Sequence, residues 1–294
     1  MMRSLFAAIS GLRAHQTMLD VTANDIANVN TVGFKGSRTS FKDALSQTQA
    51  GASGPSTTLG GTNAQQIGLG VQVGAIQNLT GAGAIQSTGN PLDLAIQGTG
   101  WFRVAAIQTP AAVGPPATPA VFGTTMYTRA GNFTTDASGN LVTQDGNFVL
   151  GNAAATQGPP PTFTVADSQI TVPAVATALT IGQDGVVSYI DSTTGASVTL
   201  AQLTLAKFPN EQGLQRLAGT KFVQSPNSGN PVVGVPGDVN GLGTLAAGSL
   251  EMSNVDLAQE FTNMIEAQRG FQANGRVIST ADQMLQDLVN LGRG

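Results

Sequence analysis

Two heptad stripes, one near each end of the chain, constrain this sequence more than any other feature. Between Ser4 and Val29, Leu5, Leu12, Leu19 and Ile26 recur every seven residues, with Ala8, His15, Thr22 and Val29 in an adjoining, weaker row. A seven-residue repeat keeps one helical seam facing a partner helix, and this segment would be roughly 40 Å long as a helix. Near the other end Leu257, Met264, Phe271, Ile278 and Leu285 repeat the spacing, flanked by Ala267, Ala281 and Leu288. Ser253 with Asp256 gives an S-x-x-D start signal before that run. Neither stripe contains proline. One stripe alone would be read as a helix lying on its own core. Two of them predict that the helices pair, with Leu5, Leu12, Leu19, Ile26, Leu257, Met264, Phe271, Ile278 and Leu285 as the pairing seam of a coiled-coil-like unit.

Between the stripes the period changes to two. Alternation starts at Leu69 to Val73, continues through Leu92 to Ile96 and reaches Trp101 to Val104. From Met126 to Leu150, Ser138-Gly139-Asn140 and Asp145-Gly146-Asn147 separate Val, Phe, Leu and Thr runs, as hairpin turns do. Gln183-Asp184-Gly185 introduces a further run, Val186 to Ile190. Residues 50–65 and 225–249 are rich in Gly, Ser, Asn and Pro. The prolines of 111–120 and 159–161 mark exposed loops. The fold class expected is therefore mainly β with long terminal α-helices: an elongated β-rich centre plus a helical unit of paired ends. The expected boundaries are 1–35 and 250–294 for the terminal helices and 36–68 for a linker or extended loop. The β-rich domain is expected over 69–249, with a short variable insert near 152–180.

Composition narrows the function. Only 10% of residues are charged although 41% are apolar, well under the roughly 25% charge usual in soluble domains. Such a surface, rich in Gly, Ala, Thr, Ser, Asn and Gln, suits a subunit that packs against copies of itself. A net charge of −4 without a basic cluster argues against nucleic-acid binding. The absence of cysteine excludes disulfides and thiolate chemistry. No apolar run is long enough for a transmembrane helix, and the Leu5–Leu12 stretch, stopped by Arg13, is read as retained rather than as a cleaved signal.

Catalytic patterns are sparse. His15 is the only histidine, and its place beside the seam favours a packing role. Asp136 to Asn147 lacks the sixth-position glycine and closing glutamate of a calcium loop. Gly68-x-Gly70 and Gly98-x-Gly100 lack the third glycine of a dinucleotide fingerprint. Gly33-Phe34-Lys35 is read as the end of the N-terminal helix. Met264 and Phe271 belong to the stripe rather than to a ligand groove, and Glu266 and Arg269 are read as solvated or intersubunit residues. No catalytic, metal or cofactor site is expected, and the chain is not expected to be an enzyme.

Several longer runs resemble the bacterial flagellar rod/hook axial family. They are Asp20 to Lys35 (DVTANDIANVNTVGFK), Asn90 to Phe102 (NPLDLAIQGTGWF, with Trp101 at the usual Phe) and Tyr127 to Phe133 (YTRAGNF). Leu250 to Leu257 (LEMSNVDL) and Glu260 to Asn274 (EFTNMIEAQRGFQAN) are the most specific. The resemblance covers nearly the whole chain except about 105–122 and 152–180. Within the family, Gly60 to Gln66, Gly68 to Val73, Gln86 to Gly89 and Ser253 to Asn274 resemble hook proteins more than distal rod proteins. The length departs from the many hook proteins that carry an extra outer domain. The resemblance thus implies a structural subunit that polymerises into the hook, the flexible torque-transmitting joint of the flagellum. A distal rod or other basal-body rod subunit is the alternative. It further implies terminal helices lining a central channel and export by the flagellar type III apparatus without a cleaved signal. Implied partners are further copies of the chain and the rod, hook-cap and hook-filament junction proteins.

Overall fold

Helix α1 (Met2–Ala27) and helix α2 (Leu257–Leu291) occupy the two heptad stripes. The computed structural model describes residues 2–55, 60–109, 121–156, 162–193, 195–238 and 241–292. The expected proline loops at 111–120 and 159–161 lie outside the described residues. The chain divides into a terminal unit (Met1–Ala27, Ser37–Asn78, Val255–Gly294) and a central unit (Asn28–Gly36, Leu79–Asn254).

In the terminal unit the two helices pack on each other beside two antiparallel ribbons. One ribbon joins β1 (Ser37–Asp43) to β4 (Val71–Asn78), and the other joins β2 (Ser46–Ala50) to β3 (Gln65–Gly68). The stretch 36–68, expected as linker or extended loop, therefore carries three strands. Its polar Ser, Thr and Gln residues alternate too weakly to announce them. Helix α1 holds the start of β4 directly: Ser10 Oγ accepts a hydrogen bond from Val71 N at 3.1 Å and donates one to Ala7 O at 2.7 Å. At the other end of α1 the Asp25 carboxylate accepts from Ser37 N at 2.8 Å, fixing where β1 begins.

The central unit is all β among the described residues, apart from one short 3-10 turn at Glu211–Gly213. Its first strands pair with its last ones. Strand β5 (Ile85–Ser87) pairs with Ser249–Glu251, and β6 (Leu94–Gln97) pairs with Thr244–Ala247. Strand β7 (Trp101–Ala105) is the hub of the largest sheet. One edge takes Met126–Thr128; the other is shared by Leu205–Lys207 and Phe148–Thr156. Every residue of β7 is buried, so both of its faces are covered. Phe102 and Val104 enter a cluster with Leu94, Ile96, Phe133 and Leu245. Trp101, on the opposite face, joins Tyr127, Phe208 and Phe222. Edge-to-face ring pairs set the spacing, at 4.9 Å for Trp101–Phe222 and 5.1 Å for Phe102–Phe133.

The hairpin expectations land on turns: Gly139 and Gly146 have φ of 83° and 77°. Asp136 serves the first of these turns, accepting from Ser138 N and Asn140 N, and its hydrogen bonds with Asn140 hold its carboxyl below the usual range. The region near 152–180 is not set apart from the sheet. Thr162–Gln169 pairs with Phe148–Thr156 within it.

Gly131 marks the tightest backbone approach beside this core. A Cβ there would stand 1.8 Å from Leu94 O, and backbone cannot move aside as a side chain end can. Gly131→Ala is expected to lower the unfolding free energy by about 3 kcal/mol, read from urea denaturation. A loss below about 1 kcal/mol would show that β6 can shift.

Candidate assembly site

The helix pair is built on small residues. Across from Gly11 sits the Asn274 side chain, 2.8 Å from where a Cβ would be; across from Gly270 sits the His15 ring at 2.5 Å. Residues 11 and 15 thus meet 274 and 270, so α1 and α2 run antiparallel. Close approach of two helices needs small residues where the backbones near one another. Ala8, Ala14, Ala267 and Ala281 are buried along the helices. Of the nine seam positions read from sequence, Leu5, Leu12, Leu19, Ile26, Met264, Ile278 and Leu285 are half-buried. Leu257 and Phe271 remain 40% and 36% exposed. His15 packs edge-on to Phe41 at 5.7 Å. The start of α2 differs from the S-x-x-D reading. Asp256 itself is the N-cap, its side chain accepting from Ala258 N at 2.9 Å and from Gln259 N.

In the central unit, Gly33-Phe34-Lys35 is a buried anchor rather than the end of α1, which stops at Ala27. Lys35 Nζ lies 2.5 Å from Glu251 Oε1 and also donates to Gly81 O at 2.8 Å. The same Oε1 accepts from Gly83 N at 2.9 Å, while Glu251 Oε2 accepts from Arg129 Nη1 at 3.1 Å. Arg129 Nη2 donates to Gly98 O, and its guanidinium lies over the Trp101 ring, 5.4 Å from the centroid. Gly33 N donates to the backbone carbonyl of Glu251 at 2.8 Å. Arg216 stacks on Phe34 at 4.9 Å and donates to Lys35 O. All three charged side chains of the node are essentially excluded from water. Burial pushes the Lys35 ammonium below its ordinary value, and Glu251 partly offsets this. Sequence reading missed the node because its members lie far apart in the chain. The one signal available was the presence of charges inside Gly- and apolar-rich motifs of a charge-poor chain.

Among the described residues neither unit gathers these groups into a reactive constellation. Among the described residues no three His, Asp or Glu side chains converge as metal ligands. A groove of about 370 Å³ in the central unit is lined by Thr31, Thr128, Asn132, Asp145 and Lys221, with Asp145 and Lys221 paired at 2.8 Å. A second groove of similar volume in the terminal unit runs between Phe6, Ile9 and Arg13 of α1 and Val71 and Val73 of β4. Among the described residues no helix is long and apolar enough to cross a membrane.

Comparison with known proteins agrees with this architecture of helix, β centre and helix. Residues 5–35 match the family described as flagella basal body rod protein, and 118–189 match the flagellar hook protein FlgE/F/G D1 domain. Residues 246–291 match the C-terminal family of flagellar basal body rod FlgEFG proteins. The chain is 46% identical to the flagellar basal-body rod protein FlgG of Bacillus subtilis over 294 residues, covering all of both chains. The chain belongs to the flagellar FlgE/F/G family. The FlgG protein of Agrobacterium fabrum is 40% identical, with 96% of this chain and 97% of that one covered. The flagellar hook protein FlgE of Borreliella burgdorferi is 30% identical, with 99% and 100% covered, in an alignment of 457 positions. Proteins of the FlgE/F/G family are structural, non-enzymatic parts of the flagellum. This chain is accordingly a flagellar axial structural subunit that assembles with other flagellar components.

Proposed function

We propose that the chain is a rod subunit of the flagellar basal body, of the FlgG type, rather than a hook subunit. The observation that carries this is the alignment with the B. subtilis rod protein, which runs end to end over 294 positions. The alignment with the Borreliella hook protein stretches to 457 positions, so that relative holds long segments with no counterpart here. The hook-like runs at 60–66, 68–73, 86–89 and 253–274 are thereby outweighed.

In this reading the paired helices are the polymerising part of the subunit. Leu5, Leu12, Leu19, Ile26, Met264, Ile278 and Leu285 support the pairing, and the exposed Leu257 and Phe271 are left for neighbouring copies. Further copies of the chain, adjoining rod and hook proteins and the type III export apparatus are the partners this role requires. Gold-labelled antibody to the central unit tests it on purified hook–basal bodies. Label confined to the rod is the expected result; label along the curved hook would sink the rod reading and restore the hook.

A further inference from the structure

Three observations converge on the groove of about 370 Å³ in the central unit, whose walls include the Asp145 turn, the Gly219-Thr220 turn and residues 31–32. The first is strain. Among the described residues Thr220, at a φ of 55°, is the one residue other than glycine with positive φ. A β-branched side chain fits that region poorly, and glycine would hold the same hairpin tip, where Leu217 N donates to Lys221 O at 2.7 Å, at lower cost. Strain of this kind persists where a binding site depends on it. Here Thr220 O accepts from Thr128 Oγ1 at 3.1 Å, which fixes both threonines in the groove wall.

The second is unspent hydrogen-bonding capacity. The half-buried Asn132 amide and the exposed Gln144 amide make no hydrogen bond among the described residues. Asp145 holds Lys221 through Oδ2 and has a second carboxylate oxygen to offer. Backbone groups around the groove are already engaged: Gly146 N donates to Thr143 O, Thr143 N to Asn147 O, and Ala130 N to Thr128 Oγ1. A peptide added as a strand would find little ladder to join. The third is neutrality. Asp145 and Lys221 are the charged residues of the lining and cancel each other at 2.8 Å, so neither an anion nor a cation is favoured. Apolar side chains in the lining are limited to Val32 and Ala130, enough to meet a methyl group but not a large apolar ligand.

We infer that this groove binds a neutral N-acetylated hexosamine unit of a glycan. Such a unit presents donors and acceptors on adjacent hydroxyls and one acetamido group, with a single methyl. Asn132 and Gln144 each donate and accept toward the acetamido and the hydroxyls. Asp145 accepts from a hydroxyl, and Val32 and Ala130 meet the methyl. The volume lies at the lower end of small-ligand sites, which span about 300–1,000 Å³. No aromatic ring lines the groove, so no stacking adds to the hydrogen bonds, and the affinity expected is modest, ~0.5 mM. The site is independent of where in the flagellum the subunit stands.

Titration of the full chain with chitotetraose, the tetramer of N-acetylglucosamine, followed by NMR, tests the site. Saturable shifts of the Asn132, Gln144 and Thr220 backbone amides are expected. Maltotetraose has the hydroxyls without the acetamido group and is expected to bind at least about tenfold more weakly; equal binding of the two overturns the acetamido assignment. Asn132→Ala and Gln144→Ala each remove an amide that nothing in the fold uses, so both should unfold at the parent midpoint. Each is expected to weaken chitotetraose binding about fivefold to tenfold. Thr220→Gly is expected to raise the unfolding midpoint, by releasing the strain, and to weaken binding; undiminished binding would remove Thr220 from the site. No shifts up to ~10 mM chitotetraose, or shifts that survive unchanged in both alanine variants, overturn the proposal.

Discussion

Replacing Glu251 by alanine is expected to destabilise the central unit by about 3–5 kcal/mol. The carboxylate is fully buried and is the shared counter-ion of Lys35 and Arg129. Its removal leaves two cations in a water-poor site with only carbonyl acceptors, Gly81 O for Lys35 and Gly98 O for Arg129. Trp101 is the only tryptophan and is wholly buried against Arg129, so its fluorescence reports the transition in urea. A loss under about 1 kcal/mol would mean that the cations escape to water or that Lys35 gives up its proton, since the Arg129 guanidinium keeps its charge. The triple replacement of Lys35, Glu251 and Arg129 by methionine is expected to be far milder than Glu251→Ala, since no unpaired charge remains.

The node also carries a pH signature. Because burial lowers the Lys35 pKa in the fold, the unfolded chain binds more protons than the native one between that lowered value and 10.5. Stability from this group therefore rises with pH across that window and is least below it, where Lys35 is protonated in both states. Lys35→Met should abolish that rise.

The second large effect is on assembly. Chains lacking 1–27 or 255–294 are expected to leave no polymer above background in sedimentation and electron microscopy, while Trp101 keeps its native emission. Either deletion strips one helix from the antiparallel pair and exposes the small-residue face of the other, Gly11 and Ala14 or Ala267 and Gly270. An isolated amphipathic helix draws most of its stability from such packing. The central unit has its own core around β7 and should survive both deletions. Tubes formed by either shortened chain would remove the helices from the polymerising role.

The helices were legible because a heptad is a local, repeated signal, and the turns because Asp-Gly dictates positive φ on the spot. Less could be read where the structure depends on distant partners. Nothing near Ile85 announces that β5 pairs with Ser249–Glu251, and the exposed, polar β2 and β3 carry no apolar alternation to betray a ribbon. Lys35 looked like the tail of a helix because the sequence cannot show that Glu251 waits for it. The cap of α2 shifted from Ser253 to Asp256 because two acceptable capping residues stand three apart and only geometry chooses between them. The seam Leu residues are visible in sequence, but the Gly11–Asn274 and Gly270–His15 meetings that set how the helices approach are not.

The pairing of first strands with last has a consequence for the order of folding. Strands β5 and β6 find their partners only at 244–251, and Gly33, Lys35 and Gly83 close onto Glu251. Such long-range closure is slow, because the loop entropy is lost before the contacts form. A chain emerging with its N-terminus first therefore has an open central unit, and a Lys35 without its counter-ion, until Glu251 has followed. The fold contains its own test of whether the central unit has been delivered in full.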